Sequence, residues 1–228
     1  MHDVSLIIPA KKEPNALPMV LEEINKIKLS CEIIIIIEKS DVETYKVAKK
    51  FNCKIIFQSG RGYGNAIIEG IMASNTKYSC IYYADGSTDP KFVPLMMKKL
   101  EDENIDFVFG SRYEKGAYTY DDDFITRFGN FFFTFLGNFL MKFKITDIMF
   151  TYIFSRTDSL KKLNLTSDDY CLCMEIPFKI KEKNYKYSTY PCVERKRFAD
   201  KKKVKAFPVG FKILKYFVLN YLKFINRK

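Results

Sequence analysis

The sequence has no tryptophan and a single histidine, His2. Its six cysteines, Cys31, Cys53, Cys80, Cys171, Cys173 and Cys192, include no C-x-x-C pair. One imidazole and no paired thiols argue against a Cys/His zinc site. The cysteines read instead as reduced, buried thiols of a cytosolic chain. No apolar run reaches the ~20 residues that cross a bilayer. The longest, Phe131 to Phe143, is broken by Gly137 and Asn138. The amino terminus runs straight into an apolar strand, so no secretory leader is expected. There is no internal repeat, no low-complexity linker and no glycine-rich phosphate loop near the first strand. Negative charge is also in short supply, with 38 Lys and Arg against 27 Asp and Glu, a formal net charge of +11. Such a chain favours polyanions: nucleic acid, anionic lipid head groups or phosphorylated substrates. No RNA or DNA motif is present, so nucleic acid is not expected.

What remains is a chain of 228 residues, 47% hydrophobic, enough for one large α/β domain with a core of its own. Apolar strands at 4–9, 31–37, 53–57, 78–83 and 105–110 alternate with helices at 16–28, 41–51, 64–74 and 90–101. The run CEIIIII is too uniformly apolar for a sheet wetted on one face. This alternation predicts a mostly parallel sheet with right-handed crossovers. Past residue 112 the pattern changes. The loop YEKGAYTYDDD leads into an aromatic helix over 124–142, a strand-like FTYIFS, a helix from about Asp158, a helix over 173–183 and the strand YKYSTYPCVE. A basic loop and a helix over 208–226 close the chain.

The segment YSCIYYADGSTDP carries the most chemistry. A buried strand there runs into an acidic turn that contains a glycine. Asp85 thereby sits at the carboxyl end of a strand, where open α/β sheets hold their ligands. A hard carboxylate followed by N–H and hydroxyl groups suits a divalent metal that carries a diphosphate. Asp89, before Pro90, reads as a helix cap. Arg61, Gly62 and Gly64 precede a helix, where glycines admit a close backbone approach and the helix N-terminus favours anions.

Five segments in order resemble family 2 inverting glycosyltransferases, nearest to the dolichyl- and polyprenyl-phosphate sugar transferases. IPAKKEPNALP resembles IPAYNEEENLP. EIIIIIEKSD stands where EIIVVDDGSTD is usual. GRGYGNAIIEGI resembles NRGKGAALRTGI, YYADGSTDP resembles DADGSTDP, and FGSRY resembles IGSRY. The match is good over residues 4–113, and weaker echoes follow in ITDIMFTYIFSR, the Glu175 helix and ERKRFADKKKVKA. The resemblance implies a GT-A fold: Rossmann-like, three layers, a mostly parallel central sheet and a C-terminal helical elaboration. It implies a single domain over 1–228. Residues 1–113 form its nucleotide-sugar half, 114–207 its acceptor half and 208–228 a basic amphipathic helix.

The resemblance also implies roles. Pro9, Ala10 and Glu13 edge the nucleotide base, with a solvated helix-start charge as the alternative for Glu13. Glu38 stands one place from the usual base-reading acid. Arg61, Gly62, Gly64 and Ala84 border the donor. Asp85, assisted by Ser87, holds Mg²⁺ or Mn²⁺ against the diphosphate. Arg112, Arg197 and Lys203 bind phosphate. Asp147 and Glu175 border the acceptor, and one of them serves as general base if the acceptor is an alcohol. A lipid phosphate needs no base. Two positions depart from the pattern: Tyr83 replaces the first Asp of D-x-D, and Ile37 with Glu38 replaces the paired acids of DDGS.

In the last helix Lys212, Lys215, Lys223 and Arg227 fall on one side, and Phe211, Leu214, Phe217, Val218, Tyr221, Leu222 and Ile225 cover much of the rest. That face suits an anionic membrane surface, the protein core or a second copy of the chain. Two functions follow. One is metal-assisted, inverting transfer of a sugar from a nucleotide diphosphate to a polyprenyl phosphate or lipid-linked glycan, by a protein lying on the cytoplasmic face of the cell membrane. The other is an inactive GT-A module that binds a partner or a membrane surface.

Overall fold

The computed structural model describes residues 2–27, 29–199 and 206–226. A seven-stranded sheet runs through the molecule in the order β3-β2-β1-β4-β7-β5-β8. Its strands are β1 (Val4–Ala10), β2 (Cys31–Ile37), β3 (Lys54–Phe57), β4 (Tyr78–Ile81), β5 (Phe107–Ser111), β7 (Ile153–Arg156) and β8 (Tyr187–Pro191). All pair in parallel except β7, which is antiparallel to both β4 and β5. A short parallel pair, β6 (Tyr118–Thr119) with β9 (Val193–Glu194), stands apart.

The uniform apolar strands are explained by burial on both faces. Along β2, Ile33, Ile35 and Ile37 face one core and Ile34 and Ile36 the other. The first core packs beneath α1 (Ala16–Lys26), α2 (Val42–Ala48) and α4 (Phe92–Asp102). The second holds α3 (Tyr63–Ala73), α6 (Thr157–Lys161) and α7 (Leu172–Glu182), with α5 (Phe124–Leu136) and α8 (Ala206–Ile225) at its margin. The three layers are therefore helix, sheet, helix. The six cysteines are free, four of them buried.

The long helix expected over 124–142 ends earlier. A single π-helical turn, Gly137–Met141, follows α5, and Lys142 closes it in the left-handed conformation with φ 55°. Gly137 is required there, because a Cβ would lie 2.5 Å from Ile148 Cδ1. The strand expected through 185–194 breaks at Cys192, so that Val193 and Glu194 pair with β6 instead of β5. Among the described residues no helix is long and apolar enough to cross a membrane.

Gly70 marks the tightest contact between α3 and the sheet. A Cβ there would lie 2.4 Å from Ile7 Cγ2 and 2.7 Å from Ile36 Cδ1. Gly70→Val should therefore destabilise the fold by about 3 kcal/mol, the upper range for overpacking a filled core. Urea unfolding would measure it, and an unchanged midpoint would refute the packing account.

Candidate functional site

β1 pairs on one side with β2 and on the other with β4, so consecutive units diverge at the carboxyl end of β1. Open sheets bind ligands at such a switch point. A cavity of about 890 Å³ lies there. Ala10 from β1, Tyr83, Ala84 and Asp85 beyond β4, Gly62 and Tyr63 at the start of α3, Arg112 after β5, and Glu194 on β9 all line it. One further wall is apolar and comes from α5 and α8, through Ile125, Phe128, Phe132, Phe207, Phe211 and Leu214.

The turn after β4 is built around Asp85. Its Oδ1 accepts from Ser87 N–H at 3.0 Å and from Ser87 Oγ at 2.7 Å, while Oδ2 accepts from Arg197 Nη2 at 3.0 Å. Gly86, at φ 82°, lets Phe198 close over it, since a Cβ would lie 2.4 Å from the ring. The strand-like stretch 194–198 is strapped to this turn. Arg195 N–H donates to Ser87 O and Phe198 N–H to Asp85 O, both at 2.8 Å. The Arg195 side chain donates to Gly86 O and Thr88 O and forms a two-pronged pair with Glu23. Part of the basic loop is thus a structural clamp.

The metal that the resemblance implies can be tested against this donor set. The turn offers one carboxylate, already facing a cation in Arg197. Ser87 is buried with its hydroxyl on Asp85, so it orients the carboxylate. No group of three potential His, Cys, Asp or Glu ligands occurs among the described residues. Asp85 fits a hydrated divalent ion that takes its other ligands from a diphosphate and water, as Mg²⁺ commonly does.

Pro9, Glu13 and Glu38 line the far side of the cavity. Glu38 pairs with Lys11 at 2.6 Å, and the buried Glu13 donates its N–H to Thr44 Oγ1 at 3.0 Å. Gly62 borders the cavity, whereas Arg61 and Gly64 do not line it. The two glycines admit protein backbone: a Cβ at Gly62 would lie 2.2 Å from Asp168 O, and one at Gly64 2.1 Å from Ser167 O. Tyr83, in place of an acid, turns its hydroxyl to Thr151, accepting from the N–H and meeting Oγ1, both at 3.0 Å. Tyr63 reaches the same Oγ1 at 2.6 Å and stacks on Tyr170. Burial raises the pKa of both Tyr63 and Tyr83, so this wall is uncharged.

Three of the expected site residues sit in enclosed positions. Asp147 is fully buried and grips Arg112, at 2.7 Å to Nε and 3.1 Å to Nη2. It is not open to an acceptor. Glu175 is also fully buried, and it accepts from Thr166 N–H, Thr166 Oγ1 and Ser167 N–H, which fixes the loop before α7. Arg112 borders the cavity but is enclosed by Asp147, Asp122 and Glu194, so its charge is spent inside the protein. Burial works against that charge, and Asp147, Glu194 and Asp122 outweigh it to raise the pKa. Lys203 lies outside the described residues. Sequence reasoning missed Glu194, Tyr63, Tyr170 and the three aspartates 121–123, all of which line the cavity. The run DDD before an aromatic helix was the available signal.

Comparison with known proteins agrees with this layout. The Glycosyl transferase family 2 profile matches residues 5–164. A dolichyl-phosphate hexose transferase of Haloferax volcanii is 27% identical over 145 residues, 64% of this chain and 62% of that protein. An uncharacterized glycosyltransferase of Mycobacterium tuberculosis is 28% identical over 109 residues, 48% of each chain. The chain thus spans about half to three fifths of the curated relatives it matches. Glucosyl-3-phosphoglycerate synthase from Mycobacterium tuberculosis, solved with Mn²⁺, UDP and glucosyl-3-phosphoglycerate, superposes with a TM-score of 0.78 at 13% identity. That match covers 96% of this chain and 80% of the synthase, and the likeness is one of fold, the GT-A arrangement.

Removing the Arg112 side chain would strand buried carboxylates on three segments of the chain. Arg112→Ala should cost about 3–5 kcal/mol, the range for breaking one partner out of a buried ion pair. Denaturant unfolding would show it, and a loss below 1 kcal/mol would mean that the acids find other partners.

Proposed function

The chain belongs to glycosyl transferase family 2, and on that footing we propose that it transfers a sugar from a nucleotide diphosphate to a lipid-borne acceptor with inversion. The observation that carries this is the one cavity that joins Asp85, at a sheet switch point, to the apolar faces of α5 and α8. The charged end suits the nucleotide and diphosphate, and the aromatic end suits a polyprenyl chain or the lipid of a lipid-linked glycan.

Pro9, Ala10, Glu13 and Glu38 would border the base, and Ala84 and Gly62 the donor's midsection. Asp85 would hold Mg²⁺ or Mn²⁺, braced by Ser87; the ion would offset charge on the departing diphosphate. Arg197, already at Asp85, is the described cation best placed to contact that diphosphate. Lys203 remains a proposed phosphate ligand by its place in the basic loop. The haloarchaeal relative's name points to a dolichyl-phosphate acceptor, and the synthase complexes to a UDP-sugar and a divalent ion. A second reading, a non-catalytic module, draws on Tyr83, whose neutral ring replaces an acid at the donor wall.

Asp85→Asn keeps the bonds to Ser87 while removing the charge. Turnover of radiolabelled sugar nucleotides with polyprenyl acceptors should fall by about a hundredfold or more. The Mn²⁺-dependent thermal shift given by UDP or GDP should disappear as well. Equal shifts in both proteins would remove Asp85 from the metal site, and no transfer from any common donor by the native protein would favour the non-catalytic module.

The same helices suggest where the protein works. Phe124, Phe128, Phe131, Phe135 and Phe139 project into solvent, with Phe131, Phe135 and Phe139 stacked in a row. Arg127, Lys142, Lys215 and Lys223 are near them in sequence or on α8. An anionic bilayer would cover this aromatic and basic surface. Phe131→Ser with Phe135→Ser should lower co-sedimentation with phosphatidylglycerol vesicles at least tenfold while leaving the melting temperature unchanged. Undiminished binding would place the contact elsewhere.

A further inference from the structure

Building on the transferase reading, we propose that the acceptor reacts through a hydroxyl of a lipid-linked glycan, not through a phosphate, and that Glu194 takes its proton. The acids expected to serve as base, Asp147 and Glu175, are fully buried and committed to Arg112 and to the 166–167 backbone. Glu194 is also buried and paired with Arg112, but unlike those two it lines the cavity. The chain that follows it is pinned to the Asp85 turn through Arg195 N–H and Phe198 N–H. Glu194, Arg197 and Asp85 therefore share one wall.

Glu194 is also oriented. Its Oε2 accepts from Thr119 Oγ1 at 2.6 Å and from Arg112 Nη1 at 3.2 Å. Among the described residues both of its hydrogen bonds end on Oε2, which leaves Oε1 to receive a proton. The groups that face it are Arg112 after β5, Thr119 on β6 and Asp122 before α5. Burial and Asp122 raise its pKa against the pull of Arg112 and Thr119. A carboxylate shifted toward neutrality is a better proton acceptor at working pH.

Among the described residues, charge favours a neutral acceptor over a phosphate. Asp121, Asp122 and Asp123 line the same cavity. The described cations beside them are already engaged: Arg112 by Asp147, Asp122 and Glu194, and Arg197 by Asp85 at 3.0 Å with Asp121 at 3.9 Å. A phosphate monoester carries up to two negative charges and would meet these carboxylates. A neutral hydroxyl meets no such opposition, but it needs a base. In the step, an acceptor oxygen lone pair forms the bond to the anomeric carbon. The bond from that carbon to the diphosphate breaks, and its electron pair leaves with the nucleoside diphosphate. The hydroxyl proton passes to Glu194, and the configuration inverts.

The test gives native protein and Glu194→Gln two acceptors in the same detergent, undecaprenyl phosphate and an undecaprenyl-diphosphate-linked monosaccharide, with radiolabelled UDP-glucose, UDP-N-acetylglucosamine and GDP-mannose. Transfer should go to the glycan lipid. In Glu194→Gln kcat should fall by about a thousandfold, with donor KM and the nucleotide thermal shift unchanged. The acidic limb of the native pH profile, where activity rises as the base deprotonates, should vanish. Azide should restore turnover in Glu194→Ala by forming an inverted glycosyl azide, which a merely structural acid would not allow. Equal transfer to undecaprenyl phosphate by both proteins would overturn the inference and leave the transferase reading intact. Native kcat in Glu194→Gln, or a folded Glu194→Ala without azide rescue, would overturn the role of Glu194. No nucleotide shift and no transfer to either lipid would overturn both readings.

Discussion

Much of the site depends on one buried cation. Arg112 leaves the end of β5 and meets Asp147, Asp122 and Glu194, which come from three separate segments beyond the first half of the sheet. Each pair alone would be a poor bargain, because burying charge costs several kcal/mol per ion. Gathered around one planar guanidinium, with Phe150 against its face, the three acids are held in fixed positions. The arrangement orients the acids and leaves the cation unavailable. In this structure the arginine of the GSRY segment holds carboxylates in place along the cavity.

A second consequence concerns how charge is distributed. The chain is strongly basic, yet the described cavity wall carries more acids than bases: Asp85, Glu194 and the three aspartates before α5 stand on it with Arg112 and Arg197. The positive excess is carried outside it, on helix surfaces and along α8. On the proposed function, such segregation would let the exterior attract an anionic surface while the interior receives a cation-bound diphosphate. The strap at 194–198 is where the two regions meet. Its backbone is fixed to the Asp85 turn, one arginine braces that turn, and the next described arginine reaches the carboxylate itself.

The first half of the fold is legible in the sequence because doubly buried strands and punctuated helices leave local signals. The Ile33–Ile37 run, the turn after Ile81 and the glycines at the start of α3 all stand close to where pattern reading puts them. The second half is less legible because its decisive contacts are long-range. Nothing local distinguishes Asp147, locked to Arg112 across 35 residues, from an acid open to substrate. Glu175 looks like a catalytic acid on a helix start until the loop at 166–167 folds onto it. Gly62 and Gly64 signal close approach correctly, but what approaches is the 167–168 backbone. The break at Cys192 that delivers Glu194 to the cavity follows Pro191, whose missing N–H is a faint marker inside an otherwise strand-like run.

Tyr83 shows how a departure from a motif redistributes work. An acid at that place would double the negative charge beside the diphosphate and share a metal with Asp85. The tyrosine instead anchors its hydroxyl on Thr151 and lays its ring edge-on to Phe150, alongside Tyr63 stacked on Tyr170. The wall gains rigidity and loses charge. All electrostatic work on that turn then falls to Asp85, whose two oxygens are already divided between Ser87 and Arg197. A divalent ion bound at this turn would have to compete with Arg197 for one carboxylate. A displaced Arg197 would still lie beside the diphosphate. On the proposed function, two cations would then neutralise the leaving group where a motif with two acids would rely more heavily on the metal, and the lost acid would shift charge compensation from the ion toward the protein.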